Sequence, residues 1–307
     1  MMSLEQRRVI LDYSIVVLVK QVPDTHNVSG DVMKEDGTIN RAILPTIFNP
    51  EDLNALEMAL SFKERFGGKI TVITMGPPSA SEVLRQSLYR GADEVYLASD
   101  IKFAGADTWA TAYTLAAVIK KVAPRVTMVL AGRQAIDGDT AQVGPQVAEK
   151  LNIPQVTYLE EIHSVTNGHL KARRQIDGGV EEVEIKMPFL GTVVEANTPR
   201  PAEVRKMMRY KNMLSRLDYK QYLSKHVEYT DESDLDAYLR KHDLLIPVIT
   251  AADLDVDIAK LGLFGSPTKV KKIENVVLKK EASKTVPATE EGSFELLSEL
   301  VKSKIIG

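Results

Sequence analysis

The segment AGRQAIDGDTAQVGPQVAEKL, residues 131–151, carries the densest set of groups able to bind a charged small molecule. Glycines stand at 132, 138 and 144, Arg133 offers a guanidinium, and Asp137, Asp139 and Thr140 offer oxygens ahead of a helix expected to start near Ala141. Glycine lets backbone approach a ligand closely, and free amides at a helix start bind phosphate oxygen with help from the dipole. Arg133 suits a phosphate, and Asp137 or Asp139 suits ribose hydroxyls. The chemistry indicated is nucleotide binding; the plainer alternative is a connecting loop in which Thr140 merely caps a helix. Three other tips would border the same crevice: Val19-Lys20-Gln21, Phe48-Asn49-Pro50-Glu51-Asp52 and Thr74-Met75-Gly76-Pro77-Pro78. Asn49 and Met75 could hold an adenine, although Asn49-Pro50 reads equally well as a helix cap. No G-x-G occurs in the chain, so the dinucleotide fingerprint is absent, as is a Walker A loop.

Other chemistries find little support. With no cysteine among 307 residues, disulfides, thiolate metal sites and cysteine nucleophiles are excluded. Redox chemistry would therefore need a bound organic cofactor. The five histidines (26, 163, 169, 226 and 242) show no metal-ligand spacing and read as surface residues. No catalytic residue and no metal site is expected. A net charge of −3 gives no global attraction for nucleic acid, and the basic run at 200–225 is poor in aromatics. No apolar stretch suffices for membrane insertion, and residues 1–14 lack the apolar centre of a secretory signal, so the cytoplasm is the expected compartment.

The loop must be positioned by the elements around it. IVVLVK (15–20), KITVITMG (69–76), DEVYLAS (93–99) and VTMVLAG (126–132) are near-continuous apolar runs, as strands covered on both faces require. Between them three helices are predicted: one after Asn49-Pro50 ending at Gly67-Gly68, one capped by Ser79 or Ser81 ending at Gly91, and one capped by Asp107 or Thr108 ending before Pro124. Alternation of this kind gives a Rossmann-like parallel α/β sheet with helices on both faces and ligands at the carboxyl ends of the strands. HLKARRQIDGGVEEVEIKMP predicts an antiparallel hairpin (169–187) turning on Asp177-Gly178-Gly179 with positive-φ glycines, and FLGTVVEANTP a further strand. The last 110 or so residues look too polar and broken for an independent core. They read as an extension followed by an arm ending in a short amphipathic helix, SFELLSELVKSKI.

The runs VLVKQVPDT (17–25), NPEDLNALEMAL (49–60), TMGPPSASEVLRQSLYRGADEVYLASD (74–100) and GRQAIDGDTAQVGPQVAE (132–149), then RQIDGGVEEVEIKMP, resemble the beta subunit of electron transfer flavoprotein. The likeness runs in order over residues 14 to about 210 and resumes with GLFGSPTKVKK at 262–272. It implies an adenine-nucleotide alpha-hydrolase-like fold, a heterodimer with an alpha subunit, and a nucleotide placed against Leu18, Lys20, Asn49, Glu51, Asp52 and Met75. The loop contributes Gly132, Arg133, Gln134, Ala135, Ile136, Asp137, Gly138, Asp139, Thr140, Ala141, Gln142 and Val143. Members that only shuttle electrons hold AMP there and typically read D-D-D after A-I. Asp137-Gly138-Asp139-Thr140 instead resembles the bifurcating bacterial group, which implies FAD, with NAD(H) as electron donor or acceptor. Also implied are a flavin-containing dehydrogenase partner and a low-potential acceptor, ferredoxin or flavodoxin. The family's partner recognition loop maps to 195–212, with Val204 as apolar anchor beside Met207 and Met208, though Asn197-Thr198-Pro199-Arg200 departs from the usual N-E-P-R. Residues 213–250 look like an insertion. The implied organisation is a nucleotide-binding domain (1–212), a helical extension (213–261) and an arm on the alpha subunit (262–307). A remote alternative is an adenylating enzyme of the same fold, opposed by the lack of an S-G-G-x-D-S-type loop.

Overall fold

The computed structural model describes residues 13–24, 45–194, 198–226, 229, 231–269 and 285–303. His26, residues 195–197 of the expected recognition loop and 270–284 of the expected arm lie outside the described residues. By its contacts the chain divides after Lys269, into 1–269 and 270–307.

In the first unit β1 (Ser14–Leu18) leads to a short antiparallel pair, β2 (Gln21–Pro23) with β3 (Thr46–Phe48), and then to α1 (Pro50–Phe66). There follow β4 (Lys69–Met75), α2 (Ser81–Arg90), β5 (Glu94–Ala98), α3 (Thr108–Val122), β6 (Met128–Gly132) and α4 (Val143–Leu151). Next come four strands in succession: β7 (Gln155–Thr166), β8 (His169–Ile176), β9 (Gly179–Lys186) and β10 (Phe189–Val193). α5 (Val204–Tyr210), β11 (Leu214–Ser215), α6 (Tyr219–Leu223), α7 (Glu232–Lys241), β12 (Leu245–Ile246), β13 (Val248–Ile249) and α8 (Gly262–Gly265) follow.

Among the described residues nine strands form one sheet in the order β13-β5-β4-β1-β6-β10-β7-β8-β9, parallel from β13 to β7 and antiparallel in β8 and β9. The expected α/β sheet with an antiparallel addition is therefore present. β1 lies between β4 and β6, so chain connections leave it to opposite sides, which opens a crevice at its carboxyl end. Its side chains alternate between two cores: Ile15 and Val17 pack with Ala55, Leu56 and Leu60 of α1 and Leu84 of α2, whereas Val16 and Leu18 pack with Leu115 and Ile119 of α3 and Val147 of α4. Helices thus cover both faces, which is why the strands read as unbroken apolar runs.

Three local readings need correction. Helix α2 takes neither Ser79 nor Ser81 as a side-chain cap; a 3₁₀ turn, Pro78–Ala80, runs directly into it. Helix α4 starts at Val143 with Gln142 before it, so Thr140 does not cap it. Only Gly178 of the Gly178-Gly179 pair takes a positive φ, because Ile176 pairs with Gly179 and leaves a two-residue turn. The Asp107 cap on α3 is present, with its carboxylate accepting from the Ala110 N–H at 3.0 Å.

From the segment beyond Asn212, Met213, Tyr219, Leu235, Leu239, Leu244 and Ile246 are buried in the first core. Ser266 and Thr268 bond to Asp107 at the start of α3. In the second unit α9 (Glu290–Lys302) starts at a Thr289 cap and exposes Phe294, Leu297 and Val301. Among the described residues no helix is long and apolar enough to cross a membrane, and no group of acidic or histidine side chains is arranged to hold a metal ion.

Candidate functional site

The carboxyl ends of β1 and β6 are tied together by the start of α1. Asp52 Oδ2 accepts from the Lys20 N–H at 2.8 Å and Oδ1 from the Gly132 N–H at 3.0 Å. The acidic residues that begin α1 do not merely favour the positive end of its dipole; they reach across the crevice to the strand ends. Burial pushes the Asp52 carboxyl up to about 7, against hydrogen bonds from Asn49, Lys20 and Gly132 that favour its charged form. The adjacent Glu51 takes Arg133 in two contacts, Nη2 at 2.7 Å and Nε at 3.2 Å, and also accepts from the Gln134 N–H at 3.0 Å.

Asn49 is fully buried at the turn into α1 and leaves that helix without a side-chain cap. Its amide is committed to the loop: Nδ2 donates to the Gln134 carbonyl at 2.9 Å and Oδ1 accepts from the Ile136 N–H at 3.2 Å. Lys20 Nζ meets both oxygens of Asp137 at 2.7 Å, and Gln134 Nε2 donates to Asp139 Oδ1 at 2.9 Å. The loop is therefore held by four residues, Lys20 just beyond β1 and Asn49, Glu51 and Asp52 at the start of α1. The exposed Lys20–Asp137 pair contributes little stability, about 1 kcal/mol or less; its effect is to orient.

Beyond Asp137 the loop opens. Gly138 to Thr140 are exposed, and a Cβ built on Gly138 would meet no atom within 4 Å. Asp139 and Ala141 adopt left-handed conformations, at φ 50° and 51°. Gln142 bonds through its side chain to Thr108 Oγ1 at 3.1 Å, and no side chain caps α4. Gly144 is required by packing, because a Cβ there would lie 2.6 Å from Thr192 Cγ2 on β10.

Lys20, Asn49, Glu51, Asp52 and Gly132 through Asp139 are thus brought together. Met75, at the end of β4, is half-buried, while Leu18 is buried in the core against α3 and α4 rather than open to the crevice. Thr140, Ala141 and Gln142 continue the loop, and Val143 packs against the α3 side. Val204, Met207 and Met208 lie elsewhere, on α5, at 71%, 39% and 60% exposure. Sequence reading missed the neighbours Thr192 and Tyr158; the latter's ring centroid lies 5.8 Å from the Arg133 guanidinium carbon.

The model of the electron transfer flavoprotein domain matches residues 36–212. The chain belongs to the electron transfer flavoprotein family. It is 42% identical over 294 residues to the electron transfer flavoprotein subunit beta of Clostridium acetobutylicum, covering 95% of this chain and 100% of that protein. To Protein FixA of Bradyrhizobium diazoefficiens it is 39% identical over 288 residues, covering 92% and 89%. To the Caffeyl-CoA reductase-Etf complex subunit CarD of Acetobacterium woodii it is 53% identical over 196 residues, covering 63% and 73%. The matches carry the resemblance read from the motifs: this is an electron transfer flavoprotein chain of the beta-subunit type, and its activity is electron transfer.

Proposed function

We propose that this chain pairs with an electron transfer flavoprotein alpha subunit and binds FAD, rather than AMP, in the crevice between β1 and β6. In this reading the heterodimer takes electrons from NADH, passes one toward the alpha-subunit FAD and one toward ferredoxin or flavodoxin, and serves a flavin-containing dehydrogenase. The observation that carries the choice of FAD is the open space at Gly138, in a loop fixed at Asn49, Glu51 and Lys20 but unobstructed at its tip. The naming of one relative as part of a caffeyl-CoA reductase-Etf complex, and of another from Anaerotignum propionicum as an acryloyl-CoA reductase electron transfer subunit, supports the reading.

The residues present fit such a cofactor. Left-handed residues at Asp139 and Ala141 turn neighbouring amides toward an anion, and α4 begins without a side-chain cap, so the positive end of its dipole favours a phosphate there. Met75 offers an apolar contact at the end of β4. Asn49 and Lys20 act on the loop backbone and on Asp137 rather than on the ligand. When bound, the flavin supplies the electron chemistry, for which this chain has no thiol of its own. Val204, Met207 and Met208 then offer an apolar face to the dehydrogenase, and the exposed side of α9 offers one to the alpha subunit.

Extraction and counting of nucleotides from the purified heterodimer tests this. Two FAD per heterodimer, with bleaching of the flavin spectrum on NADH titration, is the expected result. One FAD with one AMP would establish the non-bifurcating form instead.

A further inference from the structure

Tyr158 is a bulky residue in the left-handed region, at φ 58°, a conformation that favours glycine. A bulge places it there: Gly191 of β10 pairs with Val156 and Val193 with Leu159, so two steps on β10 face three on β7. The Tyr158 N–H leaves the ladder and donates to Thr192 Oγ1 at 3.3 Å. Thr192 is buried, and its methyl lies where the side chain of Gly144 in α4 would otherwise stand. Val193 also pairs with Gly132, which brings Tyr158 level with the start of the nucleotide loop. There its exposed ring lies 5.8 Å from the carbon of the Arg133 guanidinium, whose Nε and Nη2 are on Glu51.

A bulge alone needs no aromatic; glycine would take φ 58° without strain. Strained residues persist where the surrounding structure over-determines them, and they concentrate at functional sites. We propose that Tyr158 is a positioning residue of the nucleotide site, whose ring and Glu51 together hold the Arg133 guanidinium and so fix the loop for a phosphate-bearing adenine nucleotide. This rests on the nucleotide reading of the crevice but not on the choice between FAD and AMP. Two parts of Tyr158 act on the guanidinium: the ring through the attraction between a cation and an aromatic face, and the hydroxyl, which also favours the charged Arg133.

The test uses heterodimer stripped of nucleotide and titrated separately with AMP and with FAD, alongside thermal unfolding of the stripped protein. Tyr158→Gly is expected to keep or raise the unfolding midpoint, since it relieves the backbone, while weakening both nucleotides about ten-fold. Tyr158→Phe, which keeps the ring and loses the hydroxyl, should weaken binding less than Tyr158→Gly. In an Arg133→Ala background, Tyr158→Gly should cause no further loss. Undiminished affinity in Tyr158→Gly, or an equal loss with and without Arg133, would overturn the role of Tyr158 alone. A wild-type protein that binds neither nucleotide would overturn this role and the nucleotide reading together.

Discussion

Gly132 and Asp52 are in direct contact across the crevice: the Gly132 N–H donates to Asp52 Oδ1 at 3.0 Å, and a Cβ on Gly132 would lie 2.6 Å from that same oxygen. The Asp52 backbone nitrogen would be equally close, so relief cannot come from a flexible side-chain tip. Gly132→Ala must displace the start of α1, and the expected cost is at least about 2 kcal/mol, in the upper range for overpacking. Denaturant unfolding measures it. Stability equal to the wild type would mean that α1 is not seated on β6 as described.

Asp52 also gives a pH dependence whose sign is fixed by burial. Its folded pKa of about 7 lies above the ordinary carboxylate value, so between roughly pH 4 and 7 the folded protein holds a proton that the unfolded chain has released. This group therefore makes stability fall as pH rises through that window and adds no further slope above it. Asp52→Asn removes the slope, and it also costs about 1–3 kcal/mol because the new NH₂ faces one of two backbone N–H donors. The check is the difference between wild-type and Asp52→Asn unfolding free energies across pH 4 to 8. Parallel curves would sink the prediction.

The parallel core was legible because strands buried on both faces need no alternation to be found. β7 was not. Its buried residues, Val156, Leu159 and Ile162, are spaced by three, since register shifts interrupt the ladder on both sides, and a period of two never appears. For the same reason Tyr158 could not be placed beside Arg133. The loop was legible as a ligand element from its glycines and acids, but the commitments of those side chains were not. Arg133 reads as a phosphate ligand and Asn49 as a cap or an adenine contact, yet each is bonded across more than eighty residues of sequence, to Glu51 and to the loop backbone. Local spacing carries no signal for such distant pairs.

Gly138 separates ligand fit from fold. Its φ is outside the left-handed region and its surroundings are empty, so Gly138→Val should leave unfolding within about 0.5 kcal/mol of wild type. Added bulk beside the loop tip should nonetheless lower the nucleotide retained through purification, read by absorbance of the extracted cofactor. Full retention would show that the ligand does not pass over Gly138.

Arg200 leads a different feature, the segment that presents α5. Its backbone N–H donates to Glu57 Oε2 at 2.9 Å, its guanidinium meets both Glu57 oxygens and Glu64, and its carbonyl accepts from Arg90 Nε at 3.2 Å. Three residues on, the Glu203 N–H donates to the Tyr89 carbonyl at 2.9 Å, which seats the start of α5 on α2. Glu57 is buried, so Arg200→Ala leaves a carboxylate without its main partner, at a cost of about 2–4 kcal/mol, reduced from the fully buried case because Arg200 is partly solvated. Arg200→Ala with Glu57→Ala should recover part of that loss. If α5 receives a dehydrogenase, Arg200→Ala should also slow electron transfer from that partner while cofactor content stays constant, and stopped-flow flavin reduction distinguishes the two effects. An unchanged transfer rate with the stability loss intact would confine Arg200 to holding the fold.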